Sequence, residues 1–111
     1  MKVLFAAAEV APFSKAGGLA DVVGSLPKYL EKDAEIAIFT PLHGLIDQKK
    51  YDIKELENSS MWLTFGNKGH KFRLFMAKLP GTNINVFFVH NDWYFTCFKE
   101  VYPKWLDPEY E

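Results

Sequence analysis

Within roughly the first forty residues the hydrophobic period of this chain changes twice, and that change limits the possible folds more than any other feature. Val3 to Ala8 is an unbroken apolar run, the pattern of a strand covered on both faces of a parallel sheet. The loop from Glu9 to Gly18 carries Pro12 and the Gly17-Gly18 pair, so it continues neither a strand nor a helix. From Leu19 to about Lys32 the apolar residues Leu19, Val22, Val23, Leu26, Tyr29 and Leu30 recur on one face of a 3.6-residue period, which predicts a helix. Pro27 removes a backbone donor inside it, so a kink or an early unwinding is expected. Glu35 to Thr40 is a second apolar strand, stopped by Pro41. Strand, helix and strand make a right-handed βαβ unit, and the fold class expected is α/β with a Rossmann-like parallel sheet.

Beyond the loop around His43 and Gly44 the period changes to two. Met61, Leu63 and Phe65 alternate, Gly66-Asn67-Lys68-Gly69 signals a turn, and Phe72, Leu74 and Met76 alternate on the way back. This predicts an antiparallel hairpin from Met61 to Lys78 with Leu63, Phe72 and Leu74 facing the core, and with Phe65 and His70 close across the turn. Pro80-Gly81 then leads into a strand from Ile84 to Val89. The tail from Asn91 to Glu111 has weak order signals and several aromatics, among them Trp93, Tyr94, Tyr102, Trp105 and Tyr110, and it ends as though cut from something longer.

At 111 residues one domain with one modest core is expected. A net charge of −1, with no run of Lys or Arg longer than two, lacks the electrostatic footprint of a nucleic-acid or anionic-membrane partner. The single cysteine, Cys97, forms no internal disulfide and suits a reducing compartment. The opening apolar run is too short for a leader and meets Glu9 directly, so a cytoplasmic address is expected.

Lys15-Ala16-Gly17-Gly18-Leu19, between the first strand and the first helix, is the most informative place for chemistry. Ligands of open parallel sheets bind at the carboxyl ends of strands. Paired glycines allow close backbone approach, and the N–H groups of a helix start favour phosphate. On spacing alone the same glycines serve equally well to turn the chain, with Lys15 solvated. Asp21 fits a surface carboxylate favoured by the helix dipole. Glu9 fits a buried functional acid or a structural hydrogen-bond acceptor. His43, His70 and His90 lack metal-ligand spacing and fit surface or strand-end positions. Aromatics Trp93 to Phe95 fit packing as well as sugar stacking, and Cys97 a small apolar role.

The stretch from Glu9 to Pro27, with Lys-x-Gly-Gly-Leu at its centre, resembles the opening signature of bacterial glycogen synthases and plant starch synthases. The likeness continues through Thr40-Pro41, Gly44, Ile46-Asp47, Asn91-Asp92 and Tyr94-Phe95. It implies a GT-B glycosyltransferase, of which these 111 residues form part of the amino-terminal lobe. By position it assigns Lys15, Gly17 and Gly18 to the donor diphosphate, Asp21 to the neighbourhood of that site, and Tyr94 to the acceptor path. The reaction implied is retaining transfer of glucose from ADP-glucose (or UDP-glucose) to an α-1,4-glucan, with no metal and no cofactor. A carboxy-terminal lobe is then missing, the chain alone is expected to be inactive, and its uncovered surface is expected to self-associate. His43 stands where the family usually has tyrosine and Cys97 where arginine is common, and the joint Lys32-Asp33-Ala34 lacks the usual glycine. Two other readings remain: a non-catalytic nucleotide- or glucan-binding lobe, and a flavodoxin-like module of unrelated function.

Overall fold

The computed structural model describes residues 1–102, so Trp105 and Tyr110 lie outside the described residues. Its elements are β1 (Lys2–Ala6), α1 (Gly18–Leu30), β2 (Glu35–Pro41), β3 (Lys54–Glu55), β4 (Met61–Phe65), β5 (Lys68–Lys78) and β6 (Asn85–His90), followed by a π-helical turn at Asp92–Thr96. One mixed sheet runs β1-β2-β6-β5-β3, and β4 pairs with the outer half of β5. β1, β2 and β6 are parallel, whereas β5 is antiparallel to β6, β3 and β4. The expected parallel sheet with an antiparallel extension is present.

Alternation along the strands divides the sheet into two faces. Ile36, Ile38, Val86 and Phe88 are buried on one face, with Val3 and Phe5 packed against them, and Val23 of α1 belongs to the same cluster. This single core contains the fully buried Phe88, whose ring meets Phe13 edge-on at 5.0 Å. Helix α1 passes through Pro27, which is buried, and ends at Leu30 with no early unwinding. Gly24 lets the helix approach the preceding loop, because a Cβ there would lie 2.5 Å from the Ala11 carbonyl oxygen. Ala11 N–H also donates to Ala20 O at 3.0 Å.

The second face differs from expectation. β1 is an edge strand, and Leu4 is 62% exposed, so β1 is covered on one face only among the described residues. An apolar run is equally compatible with an edge, since the pairing partner is chosen by distant residues. The hairpin forms over β4 and β5, with Gly66 at φ +61° in the position where a type II′ turn takes glycine. The rings of Phe65 and His70 come to 5.9 Å. Leu63, Phe72 and Leu74, expected to face the core, instead line an open cleft of about 790 Å³ with Ala6, Phe39 and Val89. The physical cause is register: Leu74 pairs with Val89, which alternates with the buried Phe88, so these side chains take the sheet face opposite the core.

Candidate functional site

The loop between β1 and α1 is built around one buried acid. Glu9, 1% exposed, accepts from the amides of Ala16 and Gly17 through Oε2 and from Ala20 through Oε1 at 3.2 Å. Gly17, as N-cap, has no side chain with which to cap the helix, so the carboxylate performs that task from the strand end. Bonds of this kind to a charged group contribute about 1.5–3 kcal/mol each. The sequence led to the expectation that the helix-start amides are open to a ligand. The structure corrects this, because Gly17 and Ala20 are already engaged by Glu9. Gly18 keeps open space around its Cα, with no atom within 4 Å of a Cβ added there.

Lys15 and Asp21 meet at the mouth of this loop. Lys15 Nζ lies 2.8 Å from Asp21 Oδ2, and both side chains are 56% exposed. Asp21 is thus an exposed acid in the first turn of α1, as expected from the helix dipole, and it also pairs with the Lys15 amine. The loop is fixed from below as well. Val10 N–H donates to Ser14 Oγ at 3.1 Å, and Tyr51 Oη donates to Pro12 O at 3.2 Å.

Of the two positions expected for the histidines, His43 takes the strand end, just past β2, and not the surface. It is 3% exposed, and its Nε2 donates to Ala8 O at 2.7 Å. Burial lowers its pKa below the ordinary histidine value, against the opposing pull of the Ala8 hydrogen bond and the Glu9 charge. The neutral ring thus carries its proton on Nε2 and fixes the carbonyl just before Glu9. His90, also buried, stacks on Phe75 at 5.5 Å, and burial followed by the nearby Arg73 charge lowers its pKa. Arg73 in turn donates to Glu55 at 2.8 Å.

Tyr94 lies elsewhere, on the π-helical turn beside the apolar cleft. Asn91 sets that turn by accepting from Tyr94 N–H at 2.7 Å while its own amide donates to Lys71 O at 3.1 Å. The Tyr94 ring sits 4.9 Å from His70 and 6.2 Å from Phe65. Lys15, Gly17, Gly18 and Asp21 are therefore one cluster at the α1 start, and Tyr94 belongs to a second, aromatic one. Cys97 is exposed, and its thiol lies 3.6 Å from Trp93 O. Sequence reasoning missed His70 as a partner of Tyr94, although its place opposite Leu63 in the hairpin register puts it on the cleft side.

A βαβ unit with a glycine-opened helix, extended by an antiparallel hairpin over a cleft, is a Rossmann-like α/β lobe, and its match to a starch synthase catalytic domain gives the class: a lobe of a GT-B glycosyltransferase. A solved structure, the catalytic domain of starch synthase IV from Arabidopsis thaliana bound to ADP and acarbose, superposes with a TM-score of 0.76 at 26% identity, over 92% of this chain and 21% of that one. The chain belongs to the starch synthase catalytic domain family, whose family model matches residues 2–111. Among curated relatives, glycogen synthase of Thermotoga maritima is 39% identical over 107 residues, covering 92% of this chain and 22% of its own length. Glycogen synthase of Streptococcus agalactiae is 38% identical over 110 residues, covering 98% and 22%. The chain thus spans about a fifth of the length of the relatives it matches. Among the described residues no helix is long and apolar enough to cross a membrane.

Proposed function

We propose that this chain is the amino-terminal lobe portion of a retaining glucosyltransferase that moves glucose from ADP-glucose (or UDP-glucose) to the non-reducing end of an α-1,4-glucan. The observation that carries the reading is the Lys15 amine paired with Asp21 on the first turn of α1, the helix whose start has open space at Gly18. A phosphate oxygen arriving there takes over the amine from Asp21 and meets backbone without a Cβ in the way. Lys15 and the helix start at Gly18 oppose charge as it develops on the departing nucleoside diphosphate, with the Gly17 amide held by Glu9, an electrostatic role that requires no metal. Asp21 keeps the lysine in place between turnovers. Tyr94, with His70 behind it, offers an aromatic wall for a sugar ring of the acceptor. The ADP bound to the Arabidopsis relative supports a nucleoside diphosphate as ligand.

A second lobe supplies the rest of the donor site. Fixing donor and acceptor in attack geometry contributes roughly 7–11 kcal/mol, whereas one lysine and a helix end contribute about 2–5 kcal/mol. Millimolar affinity already corresponds to about 4 kcal/mol. The chain alone therefore binds ADP-glucose weakly and transfers no glucose, and its apolar cleft makes it self-associate. The test is incorporation of labelled glucose from ADP-glucose into glycogen by the purified chain, with calorimetry alongside. The expected result is background incorporation with weak heat of binding. Turnover abolished by Lys15→Ala contradicts the need for a second lobe.

A further inference from the structure

Resting on that reading, we propose that Glu9 is the positioning residue of the diphosphate site, holding the backbone of Ala16, Gly17 and Ala20 so that Lys15 and Gly18 face the ligand. Both carboxylate oxygens are committed: Oε2 to Ala16 and Gly17, Oε1 to Ala20. The backbone on either side of Gly18 is thus tied to a single group, while Gly18 itself keeps open space. Glu9 is fixed in turn by its chain neighbours. Ala8 O accepts from His43 on one side, and on the other Val10 N–H donates to Ser14 Oγ. At 1% exposure the acid cannot exchange these partners for water without opening the loop.

Charge and positioning make opposite demands here, which renders the role testable. A negative charge buried beside a phosphate site repels the ligand through space, so its removal on electrostatic grounds alone tightens anion binding. If the carboxylate acts by shaping the loop, its removal weakens binding instead. Glu9→Gln keeps the size but replaces one acceptor oxygen with an NH₂ that cannot accept from an amide. Glu9→Asp keeps the charge but is a methylene short of its partners.

The experiment titrates inorganic pyrophosphate into the isotope-labelled 111-residue chain and follows backbone amides by NMR. In the wild type the shifts centre on Lys15 and Gly18 and are lost in Lys15→Ala. Glu9→Gln and Glu9→Asp each raise the pyrophosphate Kd by about tenfold, the loss expected of an anion site whose backbone is no longer held. Amide hydrogen exchange accelerates at Ala16, Gly17 and Ala20 in both. Ile38→Val, which loosens the core away from the loop, lowers Tm but leaves the Kd unchanged, separating positioning from general stability. Unchanged or tighter binding by folded Glu9→Gln overturns the proposal and leaves the diphosphate site intact. Wild-type shifts that persist in Lys15→Ala overturn both. If Glu9→Gln does not fold, Glu9→Asp carries the comparison, and fast amide exchange at Gly17 and Ala20 in the wild type contradicts the proposal directly.

Discussion

Lys15 and Asp21 are joined across the open end of α1, with Nζ 2.8 Å from Oδ2 and 3.1 Å from Oδ1. Because both side chains are more than half exposed, water and salt screen the pair, and such contacts contribute about 0–1 kcal/mol. Asp21→Asn is expected to leave the urea midpoint almost unmoved. A loss well above about 1 kcal/mol would show that the pair supports the fold rather than the site.

The glycines separate packing from function. At Gly24 a Cβ would lie 2.5 Å from Ala11 O, and at Gly44 it would lie 2.5 Å from Phe98 O. Both contacts are to backbone that cannot step aside. Gly24→Ala and Gly44→Ala are each expected to cost about 1–3 kcal/mol in urea denaturation. Gly18→Ala meets no atom and gains helix propensity, so it should be neutral or stabilising by up to about 1 kcal/mol while weakening phosphate binding. Equal destabilisation by all three would contradict this division.

Much of this organisation was readable from local pattern. The 3.6-residue period of Leu19 to Leu30 and the alternation on either side of Gly66 determined α1 and the hairpin, because side chains a few residues apart decide such elements. The Lys15-Gly17-Gly18 cluster was legible because its members are neighbours in the chain. The strand-end place of His43 was legible, but its burial against Ala8 was not, because that partner is 35 residues away. The sharing of the helix start with Glu9 was hidden for the same reason, since bonds across 8 and 11 residues leave no periodic trace. The exposure of β1 and of the hairpin's inner face was likewise invisible, as apolar residues do not record what covers them.

Acidification should destabilise the chain partly through His43. Its pKa is lowered in the folded protein, so the unfolded chain binds the proton more readily. The contribution is complete above the ordinary value of 6.5 and is lost as pH falls below it. His43→Gln keeps a donor for Ala8 O without a titrating group. Between about pH 7.5 and about pH 5.5 the Tm of the wild type should fall more than that of His43→Gln. Parallel pH profiles would remove His43 from the account.

The cleft beside Tyr94 leaves Met61, Leu63 and Phe65 between 42% and 52% exposed, an apolar surface of the kind that drives association. Sedimentation should show mass rising with protein concentration, and Leu63→Glu should return the chain toward monomer. A wild type that stays monomeric at high concentration would contradict this.

The central claim is that Lys15 and the Gly17-Gly18 helix start receive the diphosphate of a nucleotide sugar. Its most direct measurement is an NMR titration of the labelled chain with ADP-glucose, repeated with Lys15→Ala. The account predicts saturable shifts confined to Lys15 through Asp21, a Kd near or above about 1 mM, and at least tenfold weakening in Lys15→Ala. Shifts centred on another part of the chain, or an affinity indifferent to Lys15→Ala, would contradict it.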